Sequence, residues 1–261
     1  MIMPARQQNP RVALVTGAGR RIGRAIAMGL AAQGWDIAVH FGTSAAEAAD
    51  TVEAIEALGR RAIALQCDLG DADAVKLLVR RASAALGPVA CVVNNASQFS
   101  FDSVEDFSPL LLEQHMRVNL SAPILLAQAL YAATPDGAQA VVINLLDQKL
   151  YNMNPDFLSY TLSKSALLCA TTMLAQALAP KLRVVGVAPG ITLVSGDQSD
   201  AGFADAHKKT PLGYSSSPED IAQAVCFAVA SKAMTGTTIL VDGGQHLMAS
   251  PRDVMFLTAQ P

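Results

Sequence analysis

Charge is scarce in this chain. Of its 261 residues only 16% are Asp, Glu, Lys or Arg, and the net charge is −3. The Lys and Arg residues form no basic block, which argues against nucleic acid as a principal partner. No run approaches eighteen apolar residues, so no helix is expected to span a membrane. The first ten residues lack the apolar centre of a signal peptide and carry two prolines, so Met1–Pro10 reads as a disordered tail. Cysteine is sparse too. Cys67, Cys91, Cys169 and Cys226 are widely spaced in apolar stretches, with no CxxC pair. That disfavours a metal site or a disulfide framework and favours buried thiols in a reducing, cytoplasmic setting. No linker is long enough to divide the chain. The chain is 51% hydrophobic, which suits a large core in a single domain.

The pattern that fills this core alternates strand and helix. Short Val-rich runs at 11–16, 37–41, 62–67, 89–93, 140–146, 183–188 and 238–241 read as buried strands. Between them, helical spacing covers 21–33, 44–58, 71–86, 110–132, 157–179 and 218–230, with Pro123 as a kink or join in the fourth of these. Seven strands alternating with helices predict an α/β, Rossmann-type doubly wound fold. Its seven-stranded parallel sheet has helices on both faces, in one domain over 11–261. The segment 191–211 shows no clear strand and sits where a lid over a cleft could lie.

The first strand runs into Thr16-Gly17-Ala18-Gly19-Arg20-Arg21-Ile22-Gly23, which opens the first helix. Glycines allow a tight turn and a close approach to a pyrophosphate, and the helix N-terminus supplies N–H donors. At the end of the second strand, His40-Phe41-Gly42-Thr43-Ser44 has no carboxylate to hold a ribose 2′-hydroxyl. Asp36 stands at that strand's start and reads as a turn residue. Arg20 and Arg21, with the hydroxyls of Thr43 and Ser44, could hold a 2′-phosphate, so NADP(H) is favoured over NAD. If one arginine is only a surface charge, Arg20 is the better candidate.

The chemistry is carried by Tyr160 and Lys164. They lie four residues apart on one helix and therefore share a face. A nearby ammonium favours the phenolate and would lower the phenol's pKa toward that of a working general acid. Thirteen residues upstream stands Asp147, which would act in the opposite sense on Tyr160. The three groups could titrate as a unit. Asp147 could instead be a helix cap or an exposed loop acid; its spacing to Tyr160 favours the functional role.

Seven pieces occur in the order seen in one family: the glycine turn, Cys67-Asp68-Leu69, Asn94-Asn95-Ala96, Asn119, Tyr160 with Lys164, Pro189-Gly190, and Asp242-Gly243-Gly244. With these the chain resembles the short-chain dehydrogenase/reductase family along nearly its whole length. Arg21 in place of glycine, Asp147 in place of serine, Ser97 in place of glycine, and Phe99 resemble the pteridine reductase branch. The resemblance implies a cofactor site of Gly17, Arg20, Arg21, Ile22, Gly23, His40, Thr43, Ser44, Asp68, Leu69, Asn94, Ala96, Ser97, Tyr160, Lys164, Pro189, Gly190, Ile191 and Thr192. Asp68 would meet the adenine and Asn94 the adenosine side. Pro189, Gly190 and Ile191 would approach the nicotinamide carboxamide, and Thr192 a phosphate. Asn119 would hold a relay water behind Lys164. Ser97, Phe99, Asp147 and Tyr160 would meet the substrate, and a homotetramer is implied.

The reaction expected is hydride transfer from NADPH to a pterin-like C=N bond, protonated jointly by Asp147 and Tyr160. Phe99 either stacks on the flat heterocycle or packs under the lid. Two other functions remain open. One is a carbonyl or 3-oxoacyl reductase, against which Asp147 argues. The other is a non-catalytic NADP-binding sensor, against which the tyrosine–lysine pair argues.

Overall fold

Buried strands of a parallel sheet are apolar on both faces, and the core divides accordingly. In β1 (Arg11–Val15), Ala13 and Val15 face one layer of helices while Val12 and Leu14 face the other. The same alternation separates Val141, Ile143 and Leu145 from Ala140 and Val142 in β5 (Ala140–Leu145). The computed structural model describes residues 11–194 and 200–256. The expected disordered tail, Met1–Pro10, and residues 195–199 of the expected lid lie outside them.

The remaining strands are β2 (Trp35–Phe41), β3 (Ala62–Gln66), β4 (Val89–Asn94), β6 (Leu182–Pro189) and β7 (Thr238–Val241). They form one seven-stranded sheet in the order β3-β2-β1-β4-β5-β6-β7, with every pair parallel. The order reverses between β1 and β4. A crevice therefore opens at the carboxyl ends of these strands, the usual ligand position in such sheets. The fold is the single Rossmann-type domain expected from the sequence.

Helices α1 (Arg21–Ala32), α2 (Ala45–Ala57) and α8 (Pro218–Ala230) cover one face. Gly29 lets α1 and α8 approach closely; a Cβ there would lie 3.3 Å from the Ala222 Cβ. Helices α3 (Ala72–Leu86), α5 (Ala122–Ala133) and α6 (Leu158–Leu178) cover the other. Two further helices are α4 (Pro109–Met116) and α7 (Asp200–Lys208), the latter inside the segment expected to show no clear strand.

The helix expected over 110–132, with a kink or join at Pro123, runs as α4 and α5 joined by a π turn, Arg117–Ser121. Pro123 has no N–H to return to the Asn119 carbonyl, so the regular ladder cannot continue there. Asp36 is not a turn residue. It is buried within β2 and paired with Arg60 at 2.6 Å and Arg61 at 2.7 Å, which fastens the start of β3 to β2. Cys169 is exposed, whereas Cys67, Cys91 and Cys226 are buried.

Candidate active site

The glycine turn is held from three sides. Asn95 donates through Nδ2 to the Thr16 carbonyl at 2.8 Å, and Thr16 Oγ1 accepts from the N–H groups of Asn95 and Ala96. Gly23 packs so tightly that a Cβ would meet the Gly17 carbonyl at 2.1 Å. Arg21, the first residue of α1, sits in the left-handed region at φ 54° and donates through a guanidinium N–H to the Val194 carbonyl at 2.9 Å. That conformation is the physical reason a glycine would suit this position.

His40 does not face a ligand. Its ring is buried. Nδ1 accepts from the Gly17 N–H at 3.1 Å, and the opposite nitrogen lies 3.1 Å from the Cys67 carbonyl, to which it donates. It is a neutral strut beneath the turn, and the sequence expectation of cofactor contact is corrected. Burial pushes its pKa down from 6.5 to about 4, despite the favourable bond to Cys67. The unfolded chain thus takes up a proton that the folded one resists. The resulting stability is complete above about 6.5 and is lost as pH falls toward 4, about 3 kcal/mol in all. Urea unfolding across that window should show the loss in the native chain and a flatter profile in His40→Gln.

Beside the turn opens a cavity of about 510 Å³. Its wall includes Arg20, Arg21, Ile22, Ser97, Phe99, Asp147, Tyr160, Lys164 and the run Pro189-Gly190-Ile191-Thr192. Twelve of the residues expected at the site thus converge there. A larger cavity of about 800 Å³ lies behind Arg21, between α1 and α8, and contains none of the other expected groups.

The central contact is a hydrogen bond from the Tyr160 hydroxyl to Asp147 Oδ2 at 2.8 Å. Asp147 Oδ1 accepts from the Lys149 N–H at 2.8 Å, so Asp147 also caps the 3₁₀ turn Gln148–Tyr151 that follows it. Lys164 donates through Nζ to the Leu145 carbonyl at 2.7 Å and lies 5.8 Å from the centre of the Tyr160 ring. The start of α6 is fixed by Asp102, whose carboxylate accepts from the N–H and Oγ of Ser159.

The electrostatics correct another expectation. The Tyr160 pKa is not lowered. Burial, and then the charge and hydrogen bond of Asp147, hold it well above its usual value. Burial also raises Asp147, more than the bonds from Lys149 and Tyr160 lower it. Lys164 is pushed down to about 8 by burial, against the attraction of Asp147. Lys164 gives one of its N–H groups to the end of β5, and Asp147 is the hydrogen-bond partner of the phenol.

Phe99 is 44% exposed and stacks on Phe157 with centroids 4.5 Å apart, meeting Tyr160 edge-on at 4.8 Å. Ser97 donates to Asn119 Oδ1 at 3.2 Å. Asn119 is buried with its side chain fully used. Oδ1 accepts from the Gln98 N–H and Ser97; Nδ2 donates to the Gln98 carbonyl and Ser163 Oγ. A relay water therefore has no free position on that side chain.

Asn94 lies below the cavity rather than beside it. It is buried and donates to Asn144 Oδ1 at 2.8 Å, its register partner in β5, while its own Oδ1 has no partner among the described residues. Leu69 is buried, and Ala96 supports the glycine turn. Asp68 is exposed; one carboxylate oxygen accepts from the Gly70 N–H. Thr43 and Ser44 lie past the end of β2, and the Ser44 side chain makes no capping bond to α2. Thr192 is turned toward Ser216 Oγ at 2.9 Å, and the Ile191 N–H donates to Gln245 at 3.2 Å.

The sequence reading missed the C-terminal contribution. Gln245, Asp253, Val254 and Met255 line the cavity, as does Lys149. No local pattern marks Asp253; its place is set by the pairing of its neighbour Arg252 with Asp156 at 2.8 Å.

A family model described as short chain dehydrogenase matches residues 11–201. The chain belongs to this family. Among its short-chain dehydrogenase relatives, FolM alternative dihydrofolate reductase 1 from Brucella canis, crystallised with NADP, is 39% identical. It superposes with a TM-score of 0.90 over 96% of this chain and 99% of that one. An uncharacterised oxidoreductase of Methylorubrum extorquens is 36% identical, covering 90% of this chain and 97% of its own. A 3-oxoacyl-[acyl-carrier-protein] reductase of Staphylococcus aureus is 32% identical over 90% of this chain and 98% of that protein. The chain is thus a short-chain dehydrogenase whose relatives bear the names of several activities.

Proposed function

We propose that the protein is an NADPH-dependent reductase of a pterin-like C=N bond. The observation that carries this reading is the 2.8 Å hydrogen bond from Tyr160 to Asp147 in a cavity that also presents Phe99. A carboxylate repels a developing alkoxide. It suits a ring nitrogen that gains a proton.

The residues fit a dinucleotide phosphate. The glycine turn has no room for a Cβ at Gly23, and α1 begins beside it. Arg20 and Arg21 line the cavity, and the Ser44 hydroxyl caps nothing. These groups would hold the phosphates, and Lys164 the nicotinamide ribose. The exposed Asp68 is left for the adenine. NADPH, when bound, supplies the hydride. Support for this choice comes from the relative crystallised with NADP.

The proton then comes from Asp147. Burial favours the protonated form of Asp147, and the Tyr160 hydroxyl, donating to Oδ2 at 2.8 Å, would stabilise the carboxylate left behind. Burial and the neighbouring Asp147 hold the Tyr160 pKa well above its usual value, which makes the phenol the less ready of the two to give up its proton. A relay water behind Lys164 would use the main-chain carbonyl of Asn119, to which Pro123 has no N–H to return.

The test is NADPH oxidation with dihydrobiopterin, dihydromonapterin and dihydrofolate, beside a ketone and an acyl thioester. A dihydropterin should be the preferred substrate by kcat/KM. Preference for the ketone or thioester would establish the second reading, a carbonyl or 3-oxoacyl reductase, which the named Staphylococcus aureus relative favours. Tight NADPH binding with no hydride transfer would leave a sensor. We further infer a cytoplasmic homotetramer, supported by the exposed Ile124, Tyr131, Leu162 and Met173 on α5 and α6. The segment 191–211 is read as a lid, supported by the bond from Arg21 to Val194.

A further inference from the structure

The cavity contains a second carboxylate that the chemistry above leaves unused. Asp253 lines it together with Asp147. The C-terminal segment carrying Asp253 is fastened down by Asp156. Arg252 donates through Nε to both Asp156 oxygens at 2.9 Å, and the Asp253 N–H donates to Oδ2 at 2.6 Å. One residue joins the two acids of the cavity. Lys149 gives its backbone N–H to Asp147 and places its buried Nζ 3.4 Å from Asp253 Oδ2. That ammonium makes its short bond elsewhere, to the Asp156 carbonyl at 2.5 Å. Among the described residues the remaining Asp253 oxygen accepts only the Met255 N–H, at 3.2 Å. The charge of Asp253 is therefore incompletely matched at the cavity wall.

We propose that Asp253 is a positioning residue for the pair Asp147–Tyr160, keeping a proton on that pair through its own negative charge. The inference rests on the reading of Asp147 as proton donor. The groups that face Asp147 are Tyr160 and Lys164 from α6, Lys149 from the 3₁₀ turn, and Asp253 from the C-terminal segment. Lys164 and the two hydrogen bonds favour the carboxylate. Asp253 favours the protonated form, as burial does, and it acts in the same sense on Tyr160. Asp253 thus opposes the cation that would otherwise strip the acid of its proton.

The test is a carbon-13 NMR titration of the NADP⁺-loaded protein with carboxyl-labelled aspartate, with the Asp147 resonance assigned from Asp147→Asn. Asp253→Asn should lower the Asp147 midpoint by about half a pH unit or more. Asp253→Glu should restore it. With a dihydropterin, the lower of the two falls of kcat/KM with rising pH should move down by the same amount, with affinity for NADPH unchanged. The fall set by Lys164 near 8 should stay in place. An unchanged Asp147 midpoint overturns the proposal, and so does a shift that glutamate fails to reverse. The titration needs no substrate. If no dihydropterin is reduced by the native enzyme, the pterin reading fails while the link between Asp253 and Asp147 is still decided.

Discussion

Asp147→Asn lowers turnover of a dihydropterin by about a hundred- to ten-thousandfold, the range ascribed to a positioned general acid. Asparagine keeps the size of the side chain, and its carbonyl oxygen can still accept from the Lys149 N–H, so the 3₁₀ turn survives. What it loses is the capacity to hold and release a proton. NADPH affinity, read by fluorescence, should stay within a few-fold of native. Reduction of a ketone should not fall in parallel, because an alkoxide gains nothing from a neighbouring carboxylate. A parallel fall for both substrates would mean that Asp147 merely holds Tyr160 in place. Single-turnover kinetics with each substrate separate the two cases.

Tyr160→Phe should be more general. The phenol meets Asp147 at 2.8 Å, and among the described residues no other side chain donates to that Oδ2. Without it, Asp147 forms its carboxylate at greater cost, and a ketone loses the hydroxyl that would meet its oxygen. Turnover of both substrates should drop by about a hundredfold or more, with NADPH still bound. The double variant should cost little beyond the worse single one, since the pair works as a unit. Two multiplicative losses would assign the residues independent roles. Near-native rates in Tyr160→Phe would remove the tyrosine from the chemistry.

The strands were readable because a parallel strand buried on both faces is a plain apolar run, and the glycine turn because its neighbours define it. Tyr160, Lys164 and Asp147 were readable because one helix turn and a short reach from β5 bring them together. The errors share a cause. Asn94 and His40 stand where sequence order suggests ligand contact, but the alternation of each strand and its register with its neighbour turn them inward, to Asn144 and to Gly17. The two asparagines occupy paired positions of β4 and β5, a signal available only once strand order is known. The pKa of Tyr160 required knowing that it is buried and that its hydroxyl meets Asp147. Asp253 lies far along the chain and arrives through an ion pair at Asp156, which no periodicity encodes.

Arg21 shows what such a site costs the rest of the molecule. A residue with a side chain at φ 54° gives up about 1–2 kcal/mol that a glycine would not. Folding alone therefore selects against this arginine. Its guanidinium meanwhile ties the glycine turn to the backbone at Val194. Position 21 is thus a place where thermal robustness has been exchanged for grip. A search for stabilising substitutions would choose glycine here first and would loosen the cleft in doing so.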